Sequence, residues 1–143
     1  EDPSKFVLVA GTYNGHFVGT LTGIAVLKKL RSREKEIYGH LEKLGAKMEE
    51  GLSSIWTAKG IPFHTVRLGS AYSTYFMDHE PKNWNDITQN HDMALDVAFR
   101  QRLIQSGVYY CPIPTKQCSI SFAHTEEDID DSLEIIESVV RQL

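Results

Sequence analysis

The segment Gly11-Thr12-Tyr13-Asn14-Gly15-His16 sets two glycines and a threonine between an apolar strand pattern, Phe6–Ala10, and a helix pattern. Glycines let the backbone turn tightly, and a helix start presents unpaired N–H groups at the positive end of its dipole. With Thr12 adding a hydroxyl, this turn has the chemistry of a phosphate site; a purely structural turn is the alternative. His124 directly precedes a helix pattern that begins at Thr125. Its imidazole can act there as a proton carrier or an anion ligand, or simply bond the local backbone. Lys116 lies between strand patterns, close to Pro112 and Pro114, and reads from its surroundings as a solvated loop residue.

Other chemistries find less support. The six histidines show neither HExxH nor HxxxH spacing, so a metal site is not expected. The acidic residues Glu126, Glu127, Asp128, Asp130 and Asp131 lack the spaced ligands and turn glycine of a calcium loop. Acids in the first turn of a helix are accounted for by its dipole. No GxSxG nucleophile elbow occurs. The two cysteines, Cys111 and Cys118, form no CxxC pair and are expected as free thiols in a reducing cytoplasm, with a disulfide as the alternative.

Composition narrows the class further. The chain has 143 residues, 41% hydrophobic and 24% charged, enough to bury a core in one domain. Net charge is −4 with both signs mixed along the chain, which argues against nucleic acid as a partner. No apolar run reaches the length needed to cross a bilayer, and Glu1-Asp2-Pro3-Ser4-Lys5 lacks an apolar signal core.

Four helices must position these residues. Val18, Leu21, Ala25 and Leu27 to Leu30 predict one over about 17–31. Ile37, Leu41, Leu44, Met48, Leu52 and Ile55 recur at three- and four-residue steps, and Gly60-Ile61-Pro62 stops that helix. A third runs from Asp92 to Ser106, with Leu95, Phe99 and Leu103 on one face and Gly107 as its cap. The last opens with a capping box, Thr125 answered by Asp128, and carries Ile129, Leu133, Ile136, Val140 and Leu143 on one stripe. Phe63–Leu68, Tyr72–Met77, Val108–Cys111 and Ser119–Phe122 predict strands. The Asn-rich stretch from Asp78 to Asn90, with Pro81, predicts a long surface loop. The expected fold class is α+β: a mainly antiparallel sheet with helices on one face. The strand Phe6–Ala10 fits that core poorly and suggests the edge of another domain.

Several segments together resemble one family. They are Ala10 to His16, Gly69-Ser70 before the aromatic strand Tyr72–Phe76, Gly107-Val108-Tyr109 with Pro112, and Ser121-Phe122-Ala123-His124-Thr125-Glu126-Glu127-Asp128-Ile129-Asp130. In order and spacing they are similar to the C-terminal third of class III aminotransferases that use pyridoxal 5'-phosphate (PLP), close to the glutamate-1-semialdehyde aminomutase branch. The resemblance implies a fold type I PLP enzyme, a cytoplasmic homodimer acting on a small amino or keto substrate. It implies that residues 1–33 end the PLP-binding large domain and residues 34–143 form the C-terminal small domain. By the same resemblance Gly11 and Thr12 contact the cofactor phosphate of the neighbouring subunit, and the loop Pro112–Gln117 faces the substrate.

Two departures qualify what the resemblance implies. The family's Schiff-base lysine, the aspartate paired with the pyridine nitrogen and the main phosphate loop match positions upstream of residue 1, so this chain alone is not expected to be active. An acidic residue of the aminomutases is matched by Lys116, and the usual aromatic beside it by Thr115. The reversed charge speaks against glutamate-1-semialdehyde as the substrate and for a related aminotransferase with another amino or keto substrate, such as one bearing a carboxylate or phosphate that Lys116 could meet. The alternatives to an enzyme portion are a non-catalytic α+β interaction module built on this small-domain fold and, more distantly, a free-standing phosphate-binding protein.

Overall fold

The computed structural model describes residues 11–143, so the strand expected at Phe6–Ala10 lies outside the described residues. The chain divides into two units, the first ending at Lys35 and the second running from Glu36 to Leu143. In the first, α1 (Phe17–Ser32) follows the Gly11–His16 turn, with His16 as its N-cap. None of its residues is buried, although it carries Phe17, Val18, Leu21, Ile24, Val26 and Leu27.

The second unit is built from all but the first two residues of α2 (Glu34–Lys59), with β1 (His64–Leu68), β2 (Ala71–Tyr75), α3 (Trp84–Asn90), α4 (Met93–Gln105), β3 (Cys118–Ser119) and α5 (Glu126–Arg141). The sheet is antiparallel with order β1-β2-β3, as expected. Its hairpin closes through Gly69-Ser70, with Leu68 paired to Ala71. Tyr72 and Thr74 point to the buried face of β2. Tyr72 joins the apolar stripes of the helices: Leu44, Met48, Leu52 and Trp56 of α2, Phe99 and Leu103 of α4, and Ile129, Ile136, Val139 and Val140 of α5. Helix α5 starts with the predicted capping box, in which Asp128 N–H donates to Thr125 Oγ1 at 3.1 Å and Thr125 N–H to Asp128 Oδ2 at 2.7 Å.

Helix α2 and the hairpin touch backbone to backbone. A Cβ at Gly45 would lie 2.3 Å from the carbonyl oxygen of Gly69, a residue held at φ +60°. Arg67 braces the contact, donating to Gly69 O and Glu49 and pairing with Glu42. Gly45→Ala should therefore destabilise the chain by about 1–3 kcal/mol, because helix and turn must separate to admit a methyl group. A urea midpoint unchanged from that of the unmodified chain would contradict this.

Three expectations are corrected. The stretch from Asp78 to Asn90 is loop only in its first part, since α3 begins at Trp84. Its signal is Asn83 followed by Asp86: Asn83 Oδ1 accepts from Asp86 N–H at 3.0 Å, and Asp86 holds Lys82 N–H and His79. Val108–Cys111 is not a strand, because Tyr110 turns into the core and Cys111 O is taken by a side chain of α4. The strand at Ser119–Phe122 is cut to Cys118–Ser119, because Ser121 N–H donates to His124 Nδ1 at 3.0 Å instead of to a neighbouring strand.

Candidate functional site

The Gly11–His16 turn is closed by two backbone bonds, Asn14 N–H to Gly11 O at 2.9 Å and His16 N–H to Tyr13 O at 3.1 Å. Gly15 takes φ +72°, and His16 Nδ1 accepts from Gly19 N–H to cap α1. Among the described residues, neither the N–H nor the hydroxyl of Thr12 has a hydrogen-bond partner, and both Gly11 and Thr12 are exposed. Unpaired donors one turn before a helix N-terminus fit a phosphate group. This is the part of PLP that the residues present suit.

Lys116 belongs to the second unit, and Gly11 and Thr12 to the first, so each is placed within its own unit. Lys116 is exposed, and the loop carrying it is gripped from beneath by α4. Asp96 and Arg100 lie one turn apart on that helix with both side chains fully buried, and Arg100 Nε donates to Asp96 Oδ1 at 2.6 Å. Arg100 Nη1 donates to the carbonyls of Cys111 and Lys116, each at 3.1 Å. Asp96 Oδ2 accepts the backbone N–H of Thr115 at 2.7 Å. His91 completes the cluster. Its Nδ1 accepts from Phe76 N–H, so Nε2 carries the proton and donates to Asp96 Oδ2 at 3.1 Å. Burial alone would raise the Asp96 carboxyl, but the bonds from His91, Thr115 and Arg100 outweigh it and hold the group below its usual range.

Thr115 sits at φ +61°, the one left-handed non-glycine among the described residues. For a β-branched side chain this is a strained conformation, maintained where surrounding bonds over-determine it. Nothing in the residue types of the loop announces this grip. Its trace in the sequence is an Asp and an Arg four residues apart on a helix, a spacing that usually marks an exposed pair.

His124 is placed by local bonds. Ser121 N–H donates to its ring, and its carbonyl accepts from His40 Nε2 at 2.8 Å. The bond from Ser121 is the expected one between the imidazole and local backbone. Beside it lies an open groove of about 620 Å³ lined by Tyr72, Tyr110, Cys111, Cys118, Ser119 and His124 among others; Lys116 is not part of its lining. Both cysteines are free, and burial pushes the Cys118 thiol up against the pull of the Arg100 guanidinium. The acids at the start of α5 are in use: Glu126 pairs with Lys43 and Asp130 with Lys47. No acidic, histidine or cysteine group suited to a metal ion occurs among the described residues, and none of their helices is long and apolar enough to cross a membrane.

The α+β architecture is that of part of a PLP-dependent transaminase. A β-phenylalanine aminotransferase from Variovorax paradoxus superposes with a TM-score of 0.77 at 23% identity, over 99% of this chain and 32% of that one. A glutamate-1-semialdehyde aminomutase from Pseudomonas aeruginosa, solved with PMP, matches with a TM-score of 0.68 at 21% identity, over 80% of this chain and 26% of the other. In sequence the chain is 33% identical, over 141 residues, to glutamate-1-semialdehyde 2,1-aminomutase 2 of Bacillus pumilus. That match covers 99% of this chain but 32% of the relative, so the chain spans about a third of the length of the curated relatives it matches. No protein-family model matches it. The chain is thus similar, over nearly all its residues, to the C-terminal part of glutamate-1-semialdehyde 2,1-aminomutases, as the sequence motifs suggested.

Proposed function

We propose that this chain is the C-terminal portion of a PLP-dependent aminotransferase or aminomutase resembling glutamate-1-semialdehyde 2,1-aminomutase. In this reading residues 1–33 end the cofactor-binding large domain, residues 34–143 form the small domain, and the intact protein is a cytoplasmic homodimer. The observation that carries the proposal is the similarity to aminomutases along 99% of the chain. Helix α1 supports it: a helix with so many apolar side chains and no buried residue has the character of one that another surface covers.

Gly11 and Thr12 contact the cofactor phosphate through backbone N–H and hydroxyl, on the partner subunit's side of the site. When bound, PLP supplies an electron sink for the carbon that carries the amino group. The loop Pro112–Gln117 closes over the substrate and excludes water. Lys116 presents its ammonium to a substrate carboxylate or phosphate and so fixes the orientation of the amino or keto end. Neither Thr12 nor Lys116 moves the proton at the reacting carbon in this reading.

The test uses the intact protein, purified and checked by absorbance for bound PLP, then assayed against amines with and without an anionic group. Lys116→Glu should reverse the preference, lowering kcat/KM for the anionic amines by about ten- to a hundredfold, since a charged hydrogen bond becomes a repulsion. An unchanged substrate profile would remove Lys116 from the site. Absence of PLP binding would sink the enzyme reading altogether.

A further inference from the structure

We propose that Asp96 and Arg100 are positioning residues for the substrate loop, holding Thr115 in its left-handed conformation so that Lys116 is aimed outward. The inference rests on the reading of Lys116 as substrate-facing and adds what sets its direction. Two buried side chains on α4 bind three backbone groups of one loop: the carbonyls of Cys111 and Lys116 and the N–H of Thr115. No other non-glycine residue among those described takes a positive φ, and this one directly precedes Lys116. A buried ion pair is a poor way to gain stability, because desolvating two charges offsets most of their attraction. Apolar side chains would fill the same space, but they could not hold three backbone polar groups in one arrangement. The pair therefore specifies a loop conformation more than it stabilises a core.

A side chain aimed by a strained residue should be sensitive to the loss of that strain's support, and only for ligands it touches. The test is carried out on the intact PLP-bound protein with two amines of similar size, β-alanine with a carboxylate and propylamine without one. Arg100→Met removes the grip on both carbonyls. Thr115→Pro removes the N–H and forces a negative φ while leaving the buried pair intact, so it remains informative if Arg100→Met fails to fold. Both should raise KM for β-alanine about tenfold more than they change the propylamine reaction, as expected of a misaimed charged contact. Thr115→Asn, which tolerates the left-handed region and keeps the N–H, should restore the original preference.

Lys116→Ala separates the two levels of the argument. If it leaves the β-alanine preference unaltered, the reading of Lys116 fails. If it abolishes the preference while Thr115→Pro and Arg100→Met leave it intact, the positioning role is overturned and the Lys116 reading stands. A Thr115→Pro variant that loses both amines equally would show a general structural role and also overturn the inference. Failure of the unmodified protein to react with either amine would count against the aminotransferase reading itself.

Discussion

Replacing Asp96 with alanine is expected to destabilise the chain by about 3–5 kcal/mol at neutral pH, the usual consequence of leaving one member of a buried ion pair uncompensated. Arg100 would keep its charge with the side chain fully buried, and the donors at His91 Nε2 and Thr115 N would lose their acceptor. Urea unfolding measures the change. A double replacement, Asp96→Leu with Arg100→Met, should recover part of the loss, because it removes both charges and fills the space while the groups they held stay unpaired.

The pH dependence carries a second signature. The Asp96 carboxyl is held below its usual range in the folded chain. Its contribution is complete above the unfolded value, about 3.9, and is lost as pH falls through the lower folded value. The gap in stability between the unmodified chain and Asp96→Ala should thus narrow only in acid, below about pH 4. A gap that stays constant well below pH 4 would show that the carboxyl titrates alike in the folded and unfolded chain, contrary to its lowered value.

Trp56→Ala should have an effect of similar size, about 3–5 kcal/mol, from lost burial and the cavity left behind. Trp56 is completely buried where three rings meet it: Phe76 at 4.7 Å and Phe99 at 5.1 Å edge-on, and Phe63 stacked at 5.6 Å. These join α2 to α4, to the segment after β2 and to the approach to β1, so the cavity would open where the elements converge. Its Nε1 is buried with no hydrogen-bond partner among the described residues. Trp56→Phe should therefore cost much less than alanine, since it keeps a ring and removes the unsatisfied donor. Thermal unfolding of the two variants decides this, and equal losses would contradict it.

The helices were legible because their patterns are local. The stripe from Ile37 to Ile55 gives α2, and Thr125 with Asp128 gives the start of α5. Trp56 escaped notice because it lies beyond the last residue of that counted stripe, yet it is the centre of the aromatic core. Helix α3 was hidden by composition: seven residues offer little periodicity, and its cap Asn83 is one more asparagine in an Asn-rich stretch. The two lost strands were misread for a different reason. Tyr110 and Ile120 are buried, but side chains of Arg100 and His124 engage the neighbouring backbone in place of a sheet partner. At the candidate site, the turn at Gly11 and Thr12 read as phosphate chemistry from its residues, whereas Lys116 drew attention only through resemblance to a family. The grip of Asp96 and Arg100 on the loop depends on which face of α4 the rest of the unit covers, and no spacing rule contains that.

The buried pair also constrains how this sequence can change over time. A substitution at Asp96 alone strands a cation, and one at Arg100 alone strands an anion. Either single step passes through a less stable chain, so the two positions are most readily replaced together or after other changes have raised stability. Thr115 is tied to them through its N–H. The three residues should behave in descent as one inherited character, and lineages that keep Asp96 and Arg100 should keep the loop's shape even where the residue at position 116 differs.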